Sequence, residues 1–335
     1  MRLYRLPKTD GIDDLTMMEE PTPEPGRGQV LIRMRAAALN YRDLMVASGR
    51  FSQGATPGAL IPMSDGAGEI VAVGPEVDRF AVGDRAAPIF MQSWLGGELK
   101  AADNVTALGG NIDGVLTEYR VLDQHGLVHI PAHLSFEEAA TLPCAALTAW
   151  NALFGERPLK TGETVLALGT GGVSIFAVQF AKIAGARAIV TSSSDAKIER
   201  ARQLGADHGV NYAKTPDWPA EVLKLTGGEG ADVVVDVTGG LQQSAAAARF
   251  GGSVAMIGSS FAGDPVNPAP VMRRALRLRG IRIGSREMFE AMNRAIASHG
   301  LRPVIDKTFP FADAKAAYRH LESQAHMGKV VISID

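Results

Sequence analysis

Two textures of hydrophobic patterning divide the chain. Up to about Val121 the apolar positions fall in short β-branched runs such as Gln29-Val30-Leu31-Ile32-Arg33-Met34 and Gly68-Glu69-Ile70-Val71-Ala72-Val73. Turn signals at Pro23-Glu24-Pro25-Gly26 and Gly74-Pro75 separate them, which predicts antiparallel strands in a partly open barrel. From about Thr161 strand-like runs alternate with helical spacing, the signature of βαβ units and a doubly wound parallel sheet. Val165-Leu166-Ala167-Leu168 reads as a buried strand, and Val173, Phe176, Ala177, Phe180, Ala181 and Ile183 then recur at helical intervals. Residues 188–190 form the next strand, 196–204 the next helix, and 233–235 and 254–257 later strands. Beyond about Ile281 the pattern predicts helices over 287–298 and 312–323 and a last strand over 329–334. The stretch 91–111, with Gly96-Gly97 and Gly109-Gly110, reads as a long loop.

The sharpest chemical signal sits where the texture changes. Gly169-Thr170-Gly171-Gly172-Val173-Ser174 lies between a strand and a helix, where glycines let the backbone turn tightly and approach a pyrophosphate at a helix N-terminus. Ser174 stands where the third glycine of that fingerprint belongs. About 20 residues on, where a carboxylate would hold a ribose 2′-hydroxyl, the chain has Thr191-Ser192-Ser193-Ser194. Hydroxyls there with Lys197 nearby suit a 2′-phosphate, so the expected cofactor is NADP; helix capping by Ser194 is compatible with it.

Composition narrows the partners. With 335 residues the chain holds about two domains. Lys+Arg 34 against Asp+Glu 36 gives a net charge of −2, which offers no nucleic-acid or anionic-membrane surface and points to a small-molecule partner. The single Cys144 closes no internal disulfide, the first residues lack a signal peptide's apolar core, and no apolar run reaches the ~18 residues of a membrane span, so a cytoplasmic protein is expected. His125, His129 and His133 are four apart, but Gly126 and Pro131 oppose a helix; extended, each gap spans roughly 13 Å, too far for one ion. Arg273-Arg274, Arg277 and Arg279 read as a solvated helix or strand edge.

Separated motifs carry a resemblance to the medium-chain dehydrogenase/reductase superfamily over nearly the whole chain. They are Pro62-Met63-Ser64-Asp65-Gly66-Ala67-Gly68-Glu69, Val82-Gly83-Asp84-Arg85, Asp113-Gly114-Val115-Leu116-Thr117-Glu118-Tyr119, Leu142-Pro143-Cys144-Ala145-Ala146-Leu147-Thr148-Ala149 and Gly328-Lys329-Val330-Val331. The resemblance implies an α/β protein: a GroES-like β-barrel catalytic domain, residues 1–144 completed by 285–335, and a Rossmann NADP-binding domain, 145–284, with the active site in the cleft and a homodimer formed through the Rossmann sheets. It also implies Thr148 near the nicotinamide amide, Tyr212 near the 2′-phosphate, Ile257 and Gly258 along the nicotinamide, Lys329 near the pyrophosphate, and loops 91–111 and 259–267 around the substrate. Each has a packing alternative: a cap for Thr148, a loop aromatic for Tyr212, solvent for Lys329.

Where the zinc alcohol dehydrogenases of that superfamily carry metal ligands, this chain has Asn40, Ser64 and Asp65, with only Cys144 at a ligand position and no cysteine between Asp84 and Asn111. A catalytic zinc needs about three protein ligands, so no metal is expected. The segment Asn40-Tyr41-Arg42-Asp43 instead resembles the zinc-free quinone oxidoreductases and enoyl reductases. Hydride addition to a conjugated carbonyl leaves an enolate that needs hydrogen-bond donors, and Asn40, Tyr41 or Arg42 could supply them, Tyr41 also the proton. Equally, Asn40 could contact the nicotinamide and Arg42 could pair structurally with Asp43. The expected function is zinc-independent, NADPH-dependent reduction of an enone or quinone. A zinc-free alcohol dehydrogenase and a non-catalytic NADPH-binding protein are the alternatives.

Overall fold

A computed structural model describes residues 1–51, 59–258 and 267–335. The chain begins with an antiparallel pair, β1 (Arg2–Arg5) and β2 (Thr16–Glu19). The apolar run after Gly28 becomes β3 (Gln29–Leu39), the central strand of a larger sheet; Val30, Ile32 and Met34 alternate into the core, which pins its register. Then come α1 (Tyr41–Ala47), β4 (Asp65–Val73), β5 (Arg85–Pro88), α2 (Ala101–Asn104), β6 (Tyr119–Asp123), β7 (Leu127–His129) and α3 (Phe136–Ala140). β3 pairs antiparallel with β4 and β6, β4 with β5, and β5 with β7. The stretch 91–111 is no open loop: it holds α2 and is pinned by bridges from Met91 to Ala107 and from Leu108 to Ile112.

After α4 (Leu147–Phe154) the βαβ texture builds β8 (Thr164–Ala167), α5 (Gly172–Ile183), β9 (Arg187–Ser192), α6 (Asp195–Gln203), β10 (His208–Asn211), α7 (Trp218–Leu225), β11 (Ala231–Asp236), α8 (Leu241–Ala247), β12 (Ala248–Met256), α9 (Ala269–Arg273) and β13 (Arg277–Gly280). All six strands are parallel in the order β10-β9-β8-β11-β12-β13, so the winding reverses between β8 and β11. β10 and β13 are the strands the hydrophobic pattern does not announce. As edge strands they pair on one side only and tolerate His, Asn and Arg, and the basic run 273–279 supplies the end of α9 and the edge strand β13.

The chain ends with α10 (Arg286–His299), β14 (Ile305–Pro310), α11 (Ala314–Glu322) and β15 (Lys329–Ser333). β15 lies parallel to β14 and antiparallel to β3, so the C-terminal segment completes the first sheet. Ala314, Ala317, Tyr318 and Leu321 place one face of α11 in that unit's core beside Val30, Ile32 and Met34. The chain thus divides into residues 1–147 with 284–335, a GroES-like barrel unit, and residues 148–283, a Rossmann unit; the sequence reading set the boundaries at 144/145 and 284/285. The second core gathers Leu166, Ile189, Val222, Val234 and Val254. Among the described residues no helix is long and apolar enough to cross a membrane.

Candidate functional site

In the Rossmann unit, β8 stops at Ala167 and α5 starts at Gly172, with Gly169 at φ +78°, a conformation that favours glycine. Gly171 is the N-cap residue; no side chain caps the helix and no acidic residue lies in its first turn. A Cβ built on Gly169 or Gly171 meets nothing within 4 Å, so open space lies before the amide groups of α5. Those amides and the helix dipole suit a pyrophosphate. Ser174, in place of the third glycine, is buried, and its Oγ donates to Leu168 O at 2.6 Å. It fastens the helix to the strand end. Gly169 N donates to Thr191 Oγ1, tying the loop to β9, while Thr170 is buried and Gly172 and Val173 form the first turn.

At the end of β9, Ser192 is buried with its Oγ accepting from Ser194 N, and Ser194 caps α6 by accepting from Lys197 N. Ser193 is exposed, and half-exposed Tyr212 donates its backbone N–H to Ser192 O, so Ser192, Ser193 and Tyr212 converge. Asp195 is turned onto Lys214 and Asn211, which hold its carboxyl below the usual range.

Thr148 is buried, and its Oγ1 has no hydrogen-bond partner among the described residues. An orphaned buried hydroxyl fits a ligand amide. Ile257 and Gly258 both donate their N–H groups to Asp236 O. Asp236 is a residue the sequence reading missed: Oδ1 accepts from Thr238 N, Thr238 Oγ1 and Gly239 N, and Oδ2 from Ser244 Oγ. It organises the strand ends nearest the winding reversal, and its signal was a lone carboxylate ending the apolar run Val233-Val234-Val235. The residues of this unit fit a nicotinamide dinucleotide. Of the loop 259–267, residues 259–266 lie outside the described residues.

In the barrel unit, sheet register assembles a buried polar cluster. β15 sets Val330 opposite Leu39 and β4 sets Asp65 opposite Ala38, so Lys329, Asn40 and Asp65 meet at one end of three adjacent strands. Lys329, implied by the resemblance to lie near the pyrophosphate, is held by residues of its own unit: Nζ donates to Leu39 O at 2.6 Å and Asn40 Oδ1 at 2.5 Å and lies 3.8 Å from Asp65 Oδ2. Asp65 Oδ1 accepts from Ser64 Oγ, and Oδ2 accepts from Cys144 N at 3.0 Å. That amide belongs to a π-helical turn over Leu142–Ala146. Met63, just before Ser64, has φ +69°, and a Cβ on Gly114 would stand 2.0 Å from Met63 O. The two motifs around 63 and 114 therefore interlock backbone against backbone, which holds the strained residue beside the cluster.

The three expected catalytic residues part company. Asn40 caps α1, donating its own N–H to Asp43 Oδ2 at 2.8 Å; its buried Nδ2 makes no well-formed hydrogen bond among the described residues, and the side-chain amide acts on Asp65, pulling that carboxyl down. Tyr41 is 51% exposed. The Arg42 guanidinium packs 5.0 Å from the Phe51 ring centre and 4.7 Å from that of Phe90, and donates to Leu108 O. It anchors α1 to the 91–111 segment and touches Asp43 at 3.4 Å. Burial pushes the Asp43 carboxyl up to about 6, against the pull of Arg42. Burial also raises Asp65 despite Lys329, and burial together with Asp65 drives the Cys144 thiol well above its ordinary value.

That chemistry does not fit a zinc ion. Cys144 is the one sulfur there, both Asp65 oxygens are engaged, and an ammonium already stands beside Asp65 and Asn40. No group of three or more His, Cys, Asp or Glu able to hold a metal occurs among the described residues. The spaced histidines share no α-helix, as expected: His129 stacks on Phe80 and meets Arg79 O, and His133 meets Leu301 O.

Residues 26–132 match the alcohol dehydrogenase GroES-like domain and residues 172–298 the zinc-binding dehydrogenase domain. A zinc-type alcohol dehydrogenase-like protein of Schizosaccharomyces pombe is 46% identical, covering 97% of this chain and 96% of its own. A quinone oxidoreductase of Pseudomonas aeruginosa is 38% identical over 64% of this chain and 60% of its own. A crystal structure of an NAD-dependent alcohol dehydrogenase superposes with a TM-score of 0.91 at 36% identity, covering all of both chains.

Proposed function

Since the chain belongs to the zinc-type alcohol dehydrogenase-like group of the medium-chain dehydrogenase/reductase superfamily and is an oxidoreductase, we propose that it reduces conjugated carbonyls, enones or quinones, with NADPH and without zinc. The observation that carries this reading is the barrel cluster: an ammonium and an amide stand beside its one carboxylate and one sulfur, where a metal centre would need about three thiolate, imidazole or carboxylate ligands. Gly169, Thr170, Gly171, Gly172 and Val173 would hold the pyrophosphate, Ser192, Ser193, Lys197 and Tyr212 the 2′-phosphate, and Thr148, Ile257 and Gly258 the nicotinamide end. Bound there, NADPH supplies a hydride. When the carbon distal to the carbonyl is reduced, charge develops on the carbonyl oxygen, and the Asn40 Nδ2 donates a hydrogen bond to it. Tyr41, exposed beside Asn40, or water returns the proton to the α-carbon. Arg42 keeps α1 in place.

Direct interconversion of an alcohol and a carbonyl is the second reading, favoured by the alcohol dehydrogenase relatives. Identification of the product from an enone separates the two.

The choice of NADPH rests on the hydroxyl-lined end of β9. Ser193→Asp puts a carboxylate at its exposed position, and repulsion of the 2′-phosphate lowers the NADPH-to-NADH affinity ratio by roughly tenfold or more. Fluorescence titration with both nucleotides checks this, and an unchanged ratio would remove the 2′-phosphate assignment.

A further inference from the structure

The barrel cluster carries its own cation. Lys329 is 2% exposed, its ammonium meets two oxygens, Leu39 O and Asn40 Oδ1, and its charge faces Asp65. A lysine this deeply buried is tolerated when its donors find acceptors and a carboxylate balances it. Its grip on Asn40 has a directional effect: with Oδ1 claimed by a cation, the side-chain amide cannot turn over, and of the two Nδ2 hydrogens one is drawn to Asp65 and the other is left for a further acceptor.

We propose that Lys329 is a positioning residue for the reaction: its ammonium neutralises Asp65 and fixes the Asn40 amide with Nδ2 toward the substrate oxygen, filling with a side-chain cation the space beside Asp65 and Asn40. The proposal rests on the reductase reading only in taking Asn40 as the donor. Two functions are thereby joined in one group. Balancing Asp65 contributes to stability, whereas orienting Asn40 contributes to turnover, and the two separate by mutation.

The test uses full-length Lys329→Met, Asp65→Asn and the double variant. Lys329→Met leaves Asp65 buried without its cation, and Tm falls by roughly 5–10 °C. In the double variant the carboxylate charge is gone and most of that loss is regained. Turnover does not follow: kcat is down roughly 30-fold or more in both Lys329→Met and the double variant, with NADPH affinity within about twofold of wild type. Recovery of kcat together with Tm in the double variant would reduce Lys329 to a counter-charge and overturn the proposal. Weakened NADPH binding at normal kcat would overturn it in favour of a pyrophosphate contact. The assay uses 2-cyclohexen-1-one, or benzaldehyde where the wild-type protein reduces only simple carbonyls, so failure of the conjugated-carbonyl reading shows in the wild type and the positioning test is still decided. A wild-type protein that binds NADPH and reduces neither compound overturns both.

Discussion

Asn40→Asp lowers kcat by roughly 10²-fold while leaving NADPH affinity within about twofold of wild type. The substitution is nearly isosteric: aspartate is as good an N-cap as asparagine and still offers Lys329 an oxygen. What disappears is the Nδ2 donor, together with the neutrality of the group facing the developing oxyanion. A preorganised donor aimed at charge that appears only in the transition state acts on kcat, and one such donor is commonly worth two to three powers of ten. Steady-state kinetics with 2-cyclohexen-1-one, paired with fluorescence titration of NADPH, measures both quantities. Turnover within about threefold of wild type would take the donor role from Asn40.

The second large effect is on the nucleotide. Gly171→Asp abolishes useful NADPH binding, raising Kd by roughly 10²-fold or more, yet leaves the protein as stable as wild type or slightly more so. Gly171 has φ −75° and ψ −176°, which any residue adopts, and a Cβ there meets nothing within 4 Å. An aspartate in that position can cap the uncapped N-terminus of α5, a gain of a few tenths of a kcal/mol. The same carboxylate fills the space assigned to the pyrophosphate and repels it. Opposite signs on stability and affinity are what a ligand site predicts and what a merely structural turn does not. Thermal melts beside NADPH titration read both, and retained binding would remove the pyrophosphate from this turn.

Much of this arrangement is legible in the sequence, for identifiable reasons. The helical interval of Val173, Phe176, Ala177 and Phe180 announces α5 because that helix is buried along one face, and the glycines before it announce the turn because a backbone at φ +78° favours them. β10 escapes notice, and β13 shows only as a basic run with the look of a helix or strand edge, because edge strands need no continuous apolar run. The stretch 91–111 reads as a loop because its order comes from isolated bridges and α2, which carry no periodic signal. The barrel cluster is legible in part. Its members Asn40, Asp65, Cys144 and Lys329 each stand in a recognisable motif, but their meeting depends on sheet register between β15, β3 and β4, strands far apart in sequence. Arg42 shows the same limit: a guanidinium next to two candidate donors in sequence turns inward between Phe51 and Phe90, an outcome decided by packing that local spacing does not encode.

The most direct test of the account is the product formed when chelator-treated protein is incubated with NADPH and 2-cyclohexen-1-one. Hydride delivery to the distal carbon with Asn40 holding the oxygen predicts cyclohexanone, formed at the same rate before and after chelation. Formation of 2-cyclohexen-1-ol, or activity that disappears on chelation and returns with added zinc, would contradict it.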